Sequence, residues 1–217
     1  MSGEARVERW TFGEAPLGET VELAAVLRDL MGTALALEQP SEELREVVAE
    51  LAAAERRLRA LLPADLAPRL GADAPRSRRV YLDHSRDVGT YNACFPDYEL
   101  DAHDDRAEGR VEFPLVYEGP PGVVHGGFLA VFFDCVLQQL NCDMGAAGKT
   151  RSLALRYRRP VPILTELEVV ASRTIADGSI QSSGELRLDG TVMCEAEMSA
   201  VLGDRAVLPI VSPRRPA

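Results

Sequence analysis

The chain has few of the side chains that nucleic-acid, metal and redox sites require. It carries 24 Lys and Arg residues against 34 Asp and Glu residues, so its net charge is −10. Phosphate backbones bind to basic surfaces, and this balance argues against nucleic acid as a partner. The four cysteines form neither a C-x-x-C pair nor a Cys/His ligand spacing, so we expect no metal site.

Several catalytic signatures and targeting signals are also missing. The sequence has no glycine-rich phosphate loop of the P-loop type and no G-x-S-x-G elbow, which argues against NTPases and serine hydrolases. No basic segment followed by an apolar run stands at the N-terminus, and the most apolar stretch contains an acid and is a poor membrane span. We therefore expect a cytoplasmic protein without a membrane span and without a cofactor.

The chain is organised around the stretch from Glu118 to Cys142, E-G-P-P-G-V-V-H-G-G-F-L-A-V-F-F-D-C-V-L-Q-Q-L-N-C. Its prolines and glycines predict a tight loop, and from about Gly126 the residues predict a helix that is apolar on nearly every side. Such a helix belongs in a protein interior. One polar stripe is left on it, formed by Asp134, Gln138 and Asn141 at i, i+4 and i+7.

Asp134 is the residue of this helix that most needs an explanation. An ionised carboxylate in a buried helix is costly unless another group compensates it. The sequence allows two explanations, an acid paired with an arginine from elsewhere in the chain, or a catalytic carboxylate.

Two helices and a linker are predicted before this stretch. The first runs from Thr20 to Leu37 and ends before Pro40. The second begins after an N-cap at Ser41 and continues to about Leu62, with an apolar stripe of Leu44, Val48, Leu51, Leu58 and Leu62. A pair of such helices cannot bury both stripes, so we expect it to dock on the main domain or on a partner chain, as dimer support or as a lid. The predicted division is a helical extension and linker at 1–75 and a main domain at 76–217.

Strand patterns lie on both sides of the central helix. Their predicted bounds are Tyr91–Tyr98, Arg110–Tyr117, Ser152–Tyr157 and Thr165–Ile175. Two further strands follow, with Asp-Gly hairpin signals at 177–178 and 189–190. An antiparallel sheet of five or six strands with one buried helix is an α+β fold.

Two clusters of charged and imidazole side chains allow more than one role. His84 and His103 lie among aspartates, but no tetrahedral ligand set accompanies them, so we expect surface histidines. Arg76, Arg78 and Arg79 form a basic cluster in the linker, either as a solvated loop or as a phosphate contact.

Three motifs carry a resemblance to a known family. H-G-G at 125–127, with Asp134 nine residues after the histidine, resembles the hotdog-fold thioesterases of the PaaI-like group. The longer string G-P-P-G-V-V-H-G-G is most similar to their mitochondrial long-chain acyl-CoA thioesterase branch. Thr150, ten residues before Pro160, resembles a second family motif, in which Thr or Ser precedes a strand that ends in a basic-Pro pair.

The resemblance extends over 111–203, under half of the chain. It implies a hotdog fold, in which the sheet wraps round the helix, and acyl-CoA thioesterase activity at sites between subunits. Gly119 departs from the pattern, because many relatives have an Asn or Gln six residues before the histidine to polarise the thioester.

Each residue of the candidate site has an expected role. By resemblance, Asp134 activates water or attacks the thioester directly, and Thr150 holds the water or the carboxylate. Gly126 and Gly127, at the start of a helix, offer backbone N–H donors to the oxygen that becomes negative. His125 either orients the thioester or caps the helix.

The helix rise makes one chain insufficient for this site. Gly126 and Asp134 are eight residues apart on one helix, which corresponds to about 12 Å. They cannot both touch one carbonyl group. We therefore expect the donors of one chain to meet the acid of another, in a homodimer or a dimer of dimers.

The substrate is expected to be a fatty or aryl acyl-CoA. Arg156, Arg158 and Arg159 are candidates for the phosphates of coenzyme A, or else form the charged outer face of a sheet. Gln138 completes the expected substrate-binding set. Two alternatives are a non-catalytic acyl-CoA-binding protein and a hotdog hydratase, which needs a histidine where this chain has Gln139.

Overall fold

The computed structural model describes residues 16–62, 86–146 and 148–202. The helices are α1 (Gly18–Leu35), α2 (Glu42–Arg59), α3 (Val88–Tyr91) and α4 (Gly126–Asp143). The strands are β1 (Tyr98–His103), β2 (Arg106–Glu112), β3 (Gly148–Tyr157), β4 (Glu166–Ala176), β5 (Ser179–Leu188) and β6 (Thr191–Leu202). The predicted boundary near residue 75, the arginines at 76, 78 and 79, and His84 lie outside the described residues.

All six strands form one antiparallel sheet in the order β1-β2-β4-β5-β6-β3. The predicted α+β class and strand number are confirmed. Both Asp-Gly signals form turns with positive φ, at Asp177 and Gly178 (50° and 72°) and at Asp189 and Gly190 (49° and 72°). This is the backbone of a tight hairpin turn, which Gly adopts freely and Asp tolerates. The order leaves β1 and β3 as the edge strands.

The sheet curves round α4, which is the predicted central helix. Five of its large side chains have no exposed surface: Phe132, Phe133, Val136, Leu137 and Leu140. Burying each contributes about 1.5–3 kcal/mol, so this helix is the main source of apolar burial. Gly184 of β5 lets the helix approach closely, because a Cβ atom there would lie 3.1 Å from the ring of Phe133.

Arg173 of β4 holds the C-terminal end of α4. Its guanidinium donates to the carbonyl oxygens of Asn141 (2.8 Å) and Met144 (2.9 Å) and to the carboxylate of Asp105 (2.7 Å). The last carbonyls of a helix lack intrahelical donors and carry partial negative charge, so a cation is favourable there. The sheet thus fixes the helix at one end by charge and along its length by packing.

Only one of the two N-terminal helices docks on the main domain. Arg28 of α1 is buried and donates to the carbonyl oxygens of Phe95 (3.0 Å) and Gly89. The Ser41 cap of α2 is confirmed, since its hydroxyl accepts from the Leu44 N–H at 3.3 Å. No residue of α2 is buried against the described part of the chain. Within the described ranges no helix is long and apolar enough to cross a membrane.

The two strands predicted before α4 are wrong in their bounds. Tyr91 ends the short helix α3 and Tyr98 begins β1, while β2 ends at Glu112 and a 3₁₀ helix occupies Leu115–Tyr117. Pro96 and Pro114 lie between these elements, where they need donate no hydrogen bond to a ladder. The strands instead flank a tight turn at 104–105, whose two aspartates have φ of 50° and 62°.

Candidate active site

Asp134 lies half-buried in the middle of α4 and is held by Thr150 of β3. The Thr150 hydroxyl donates to Asp134 Oδ1 at 2.8 Å. The same hydroxyl oxygen accepts from Gln138 Nε2 at 2.8 Å. Because the amide takes the oxygen's lone pair, the hydroxyl proton is directed to the carboxylate. Within the described ranges Asp134 forms no ion pair with an arginine, so the first explanation of this acid finds no support.

A β-bulge turns Thr150 towards the helix. Thr150 pairs with Ala200 of β6, whereas Ser152 pairs with Ser199, so β3 has one extra residue at Arg151. Directly paired residues share a face, and Ala200 is fully buried. Without the extra residue Thr150 would lie on the outer face with Ser152. The bulge therefore brings the hydroxyl to Asp134.

A row of hydrogen bonds continues from Gln138 into the core. Asn141 Nδ2 donates to Gln138 Oε1 at 3.4 Å, and Ser182 Oγ of β5 donates to Asn141 Oδ1 at 3.1 Å. Asn141 and Ser182 are both buried. The polar stripe of the helix thereby has a hydrogen-bond partner on the inward face of β5, where most of the other side chains are apolar. The signal was Ser182 itself, a polar residue at an inward position of β5.

The other part of the candidate site is the N-terminus of α4. His125 is the N-cap, and its Nδ1 accepts from the Gly127 N–H at 3.1 Å. Of its two expected roles, the capping role is the one that the structure contains. The Gly126 N–H has no acceptor among the described residues, and the Tyr157 hydroxyl donates to the Gly126 carbonyl at 3.0 Å. The helix start therefore keeps one free donor.

A largely apolar cleft of about 550 Å³ opens beside this helix start. It is lined by Pro120, Val123, Val124, Gly126, Gly127, Leu129, Tyr157, Arg158, Arg159, Pro160 and Val161. Its size is within the range of small-molecule sites.

The three candidate arginines separate in the structure. Arg158 and Arg159 line the cleft, whereas Arg156 does not and lies 4.0 Å from Glu197. Arg158 is paired with Glu195 at 2.8 Å. Arg159 donates to a backbone carbonyl at 3.3 Å and has no carboxylate partner in the described ranges. It is therefore the arginine whose charge is most available to a ligand.

Position 119 leaves little room for a side chain in this structure. A Cβ atom on Gly119 would lie 2.9 Å from Cα and 3.0 Å from Cβ of His125. The first distance is shorter than real Cβ contacts and the second is tight, so the loop or the N-cap would have to move.

Gln139 and His103, which the sequence analysis also considered, differ in their surroundings. Gln139, where a hydratase needs histidine, is buried and accepts from the Tyr98 hydroxyl (2.5 Å) and the Asp87 N–H (3.0 Å). It connects α4 to β1 and α3. His103 is exposed and lies 2.9 Å from Asp101. Among the described residues no group of three or more metal-ligating side chains comes together.

The cysteine next to the candidate acid is not a nucleophile at neutral pH. Burial, together with the neighbouring Asp134 carboxylate, raises the pKa of the Cys135 thiol to about 11. The thiolate is the reactive form of cysteine, and this environment disfavours it.

Solved structures of other proteins share this arrangement. A crystal structure of a thioesterase superfamily protein superposes with a TM-score of 0.70 at 27% sequence identity, covering 88% of this chain and 100% of that chain. The chain has the hotdog fold. No family model matches it.

Two further structures overlap with about half of the chain. A phenylacetic acid degradation-related protein from Ralstonia eutropha JMP134 is 24% identical with a TM-score of 0.43, covering 48% of this chain and 83% of that one. Thioesterase superfamily member 2 from Mus musculus is 16% identical with a TM-score of 0.46, covering 49% and 88%.

We expect Gly119→Asn to destabilise the fold by about 1–3 kcal/mol, the usual cost of forcing atoms into a filled space. The measurement is urea unfolding followed by circular dichroism. Gly122→Asn is the matched control in the same loop, because Gly122 has φ of 76°, which Asn tolerates, and nothing within 4 Å of its Cβ position. Equal stability losses in the two variants would show that His125 does not restrict position 119.

Proposed function

We propose that the chain is an acyl-CoA thioesterase, which hydrolyses a fatty or aryl acyl-CoA thioester to the free acid and coenzyme A. The observation that carries the proposal is the hydrogen bond from Thr150 to Asp134 Oδ1, on the one polar stripe of an otherwise buried helix. A purely structural acid would be paired with a cation or fully enclosed. This carboxylate is oriented by a neutral hydroxyl and stays half-exposed, as a reacting group must.

The reaction needs only this carboxylate and a donor for the oxyanion. Thr150 binds Oδ1, so Oδ2 is the oxygen left to take a proton from water or to attack the carbonyl carbon. If Asp134 activates water, the tetrahedral intermediate collapses with cleavage of the C–S bond, and the thiolate leaves with the proton that Asp134 took from water. If Asp134 attacks directly, the thiolate leaves and is protonated from solvent, and water then hydrolyses the anhydride between Asp134 and the acyl group. Label found in Asp134 after a single turnover in ¹⁸O-labelled water would show the direct route, because only attack of water on the aspartyl carbon of the anhydride places it there.

The free N–H of Gly126 is the proposed oxyanion donor. It lies at the positive end of the α4 dipole and at the wall of the apolar cleft. Once a bound acyl group or a partner chain shields it from water, such a donor stabilises developing charge more than it would in bulk water. Gly127 contributes indirectly, since its N–H is held by His125 and so fixes the first turn.

The proposed active unit is a two-fold dimer. Asp134 and the Gly126 donor are about 12 Å apart along one helix, so a second chain must complete each site. Two features of this chain favour that arrangement. Edge strand β3 carries Thr150 and offers a row of unpaired backbone groups. Beside Asp134, α4 exposes 39% of Phe128 and 52% of Val131, apolar surface that a partner would cover.

The proposed substrate places its nucleotide near Arg159 and Arg158 and its acyl group in the apolar part of the interface. Arg159 lies at the cleft without a carboxylate partner among the described residues, which suits phosphate oxygens. The motif similarity to the mitochondrial long-chain branch favours a long acyl chain. Thiol release from acyl-CoA esters of increasing length tests this choice.

The first prediction concerns Asp134 and Thr150 together. Asp134→Asn should abolish thiol release from acyl-CoA, and Thr150→Val should lower kcat about 10–100-fold, since a hydrogen bond to a charged group is worth about 1.5–3 kcal/mol. Thr150→Ser keeps the hydroxyl and should stay within about threefold of wild type. The readout is thiol release at saturating substrate. A folded wild-type chain that binds acyl-CoA without releasing thiol would instead be a binding protein.

The second prediction is that two inactive variants restore activity when mixed. Asp134→Asn removes the acid, and Gly126→Pro removes the donor N–H at a first-turn position where proline fits a helix. After refolding an equal mixture, half of the dimers are mixed and each has one intact site, so activity should approach about one quarter of wild type. Mixed dimers that form but stay inactive would place acid and donor in the same chain.

The third prediction separates the arginines. Arg159→Gln should raise KM for acyl-CoA about tenfold while leaving KM for a thioester without the nucleotide nearly unchanged, because only the phosphate contact is lost. Arg156→Gln, which lies outside the cleft, is the matched control and should leave both values unchanged. Equal effects of Arg159→Gln on both substrates would contradict phosphate binding.

A further inference from the structure

Helix α2 has an apolar seam that nothing in the described chain covers. The seam consists of Leu44, Val47, Leu51, Ala54 and Leu58, with spacings of three, four, three and four residues. This is the a/d pattern of a helix that pairs with another helix, and Leu61 continues it in the turn after α2. Leu51 is 39% exposed and Leu58 55% exposed. An amphipathic helix gains most of its stability by packing such a face, which favours a partner that covers it.

The charges beside the seam are of opposite sign at its two halves. Glu50 directly precedes Leu51 and Arg57 directly precedes Leu58, and these two leucines are a residues of the seam. Both charged residues border the shallow groove of the seam. Neither is in an ion pair within the described ranges. The first turn of α2 is acidic and the last turn is basic. The seam is therefore complementary in charge to a second copy of itself that runs in the opposite direction.

We propose that α2 pairs antiparallel with α2 of a second copy of this chain, across a two-fold axis near the middle of the helix. In this register Leu51 packs on the partner's Ala54 and Val47 on the partner's Leu58. Glu50 then lies beside the partner's Arg57, and symmetry forms the same ion pair twice. The seam provides the packing layers of this pair, and the charges select its antiparallel direction.

The parallel alternative is disfavoured by the same charges. In a parallel pair, a residue that directly precedes an a position lies beside a residue of the partner helix. That partner residue is the one that directly follows the next d position. Glu50 would then face the partner's Glu55, twice by symmetry, and like charges at such positions repel. Glu55 is instead used within its own helix, where Arg59 binds it at 2.6 Å.

The pairing is independent of the proposed active site. The seam of α2 lies outside both β3 and α4, and none of its residues takes part in the catalytic proposal. An α2 pair extends the contact between two chains beyond the sheet edge, or joins two dimers. Its test therefore reads proximity of the seam itself, and activity plays no part in it.

The first experiment measures register by disulfide formation in the full chain. Cys94, the exposed native thiol, is replaced by Ser. A tagged Val47→Cys chain is mixed with an untagged Leu58→Cys chain and mildly oxidised. Antiparallel pairing predicts crosslinks between the two kinds of chain, because these positions form one layer. Crosslinks between like chains would show a parallel pair, and no crosslink between folded chains would show that a second α2 does not cover the seam. Either result overturns the proposal.

The second experiment tests the ion pairs on the same background. Glu50→Arg in both chains should slow the mixed crosslink about tenfold, because two attractions become two repulsions. Adding Arg57→Glu should restore the rate to within about twofold, since the pair is rebuilt with its signs exchanged. Ala49→Glu, on the opposite face of α2, is the matched control and should leave the rate unchanged. A double variant that crosslinks as slowly as Glu50→Arg alone would contradict the Glu50–Arg57 pairing.

Discussion

The structure depends on the burial of one helix that is apolar on almost every side and still carries a carboxylate. A single layer of sheet cannot cover such a helix unless it curves, and the six strands do so round α4. Gly184 allows the close approach, and the aromatic and aliphatic side chains of α4 fill the space inside the curve. The remaining elements are arranged at the ends and edges of this one packing contact.

The polar stripe of α4 is satisfied without cancelling the charge of Asp134. Hydroxyl and amide groups from β3, β5 and the helix itself form the row Ser182–Asn141–Gln138–Thr150, which ends at the carboxylate. Buried polar groups are costly unless each has a partner, and here every member has one. The row therefore holds Asp134 in one orientation while its second oxygen stays available for chemistry.

The two ends of α4 serve different purposes because a helix is electrically asymmetric. At the C-terminus, Arg173 satisfies the last carbonyls and anchors the helix to β4. At the N-terminus, glycines leave the first turn without side chains, and an apolar cleft opens beside a free N–H. One end is thus a structural anchor and the other borders an open cleft, and eight residues of helix separate Asp134 from that cleft end in its own chain.

The sequence by itself determined what depends on local periodicity and turn chemistry. The central helix, its polar stripe, the Ser41 cap and the two Asp-Gly hairpins follow from spacings within a few residues, and the structure confirms them. The family motifs also pointed to Asp134 and Thr150. The fold class was predictable because one helix and several hairpins, each with an apolar face, have few ways to bury those faces together.

Only the tertiary structure decided which side chains meet. The predicted bounds of the strands near Pro96 and Pro114 were wrong. Proline shows where a backbone N–H is missing, but it does not show which element lies on either side of it. The bulge at Arg151 that turns Thr150 inward is a property of the register with β6, and Ser182 enters the polar row from a distant strand. The contact of Gly119 with His125 and the separation of Arg156 from Arg159 likewise depend on chain folding. These contacts are set by pairing between residues that are distant in the sequence. A local sequence pattern does not identify the distant residues that it will contact.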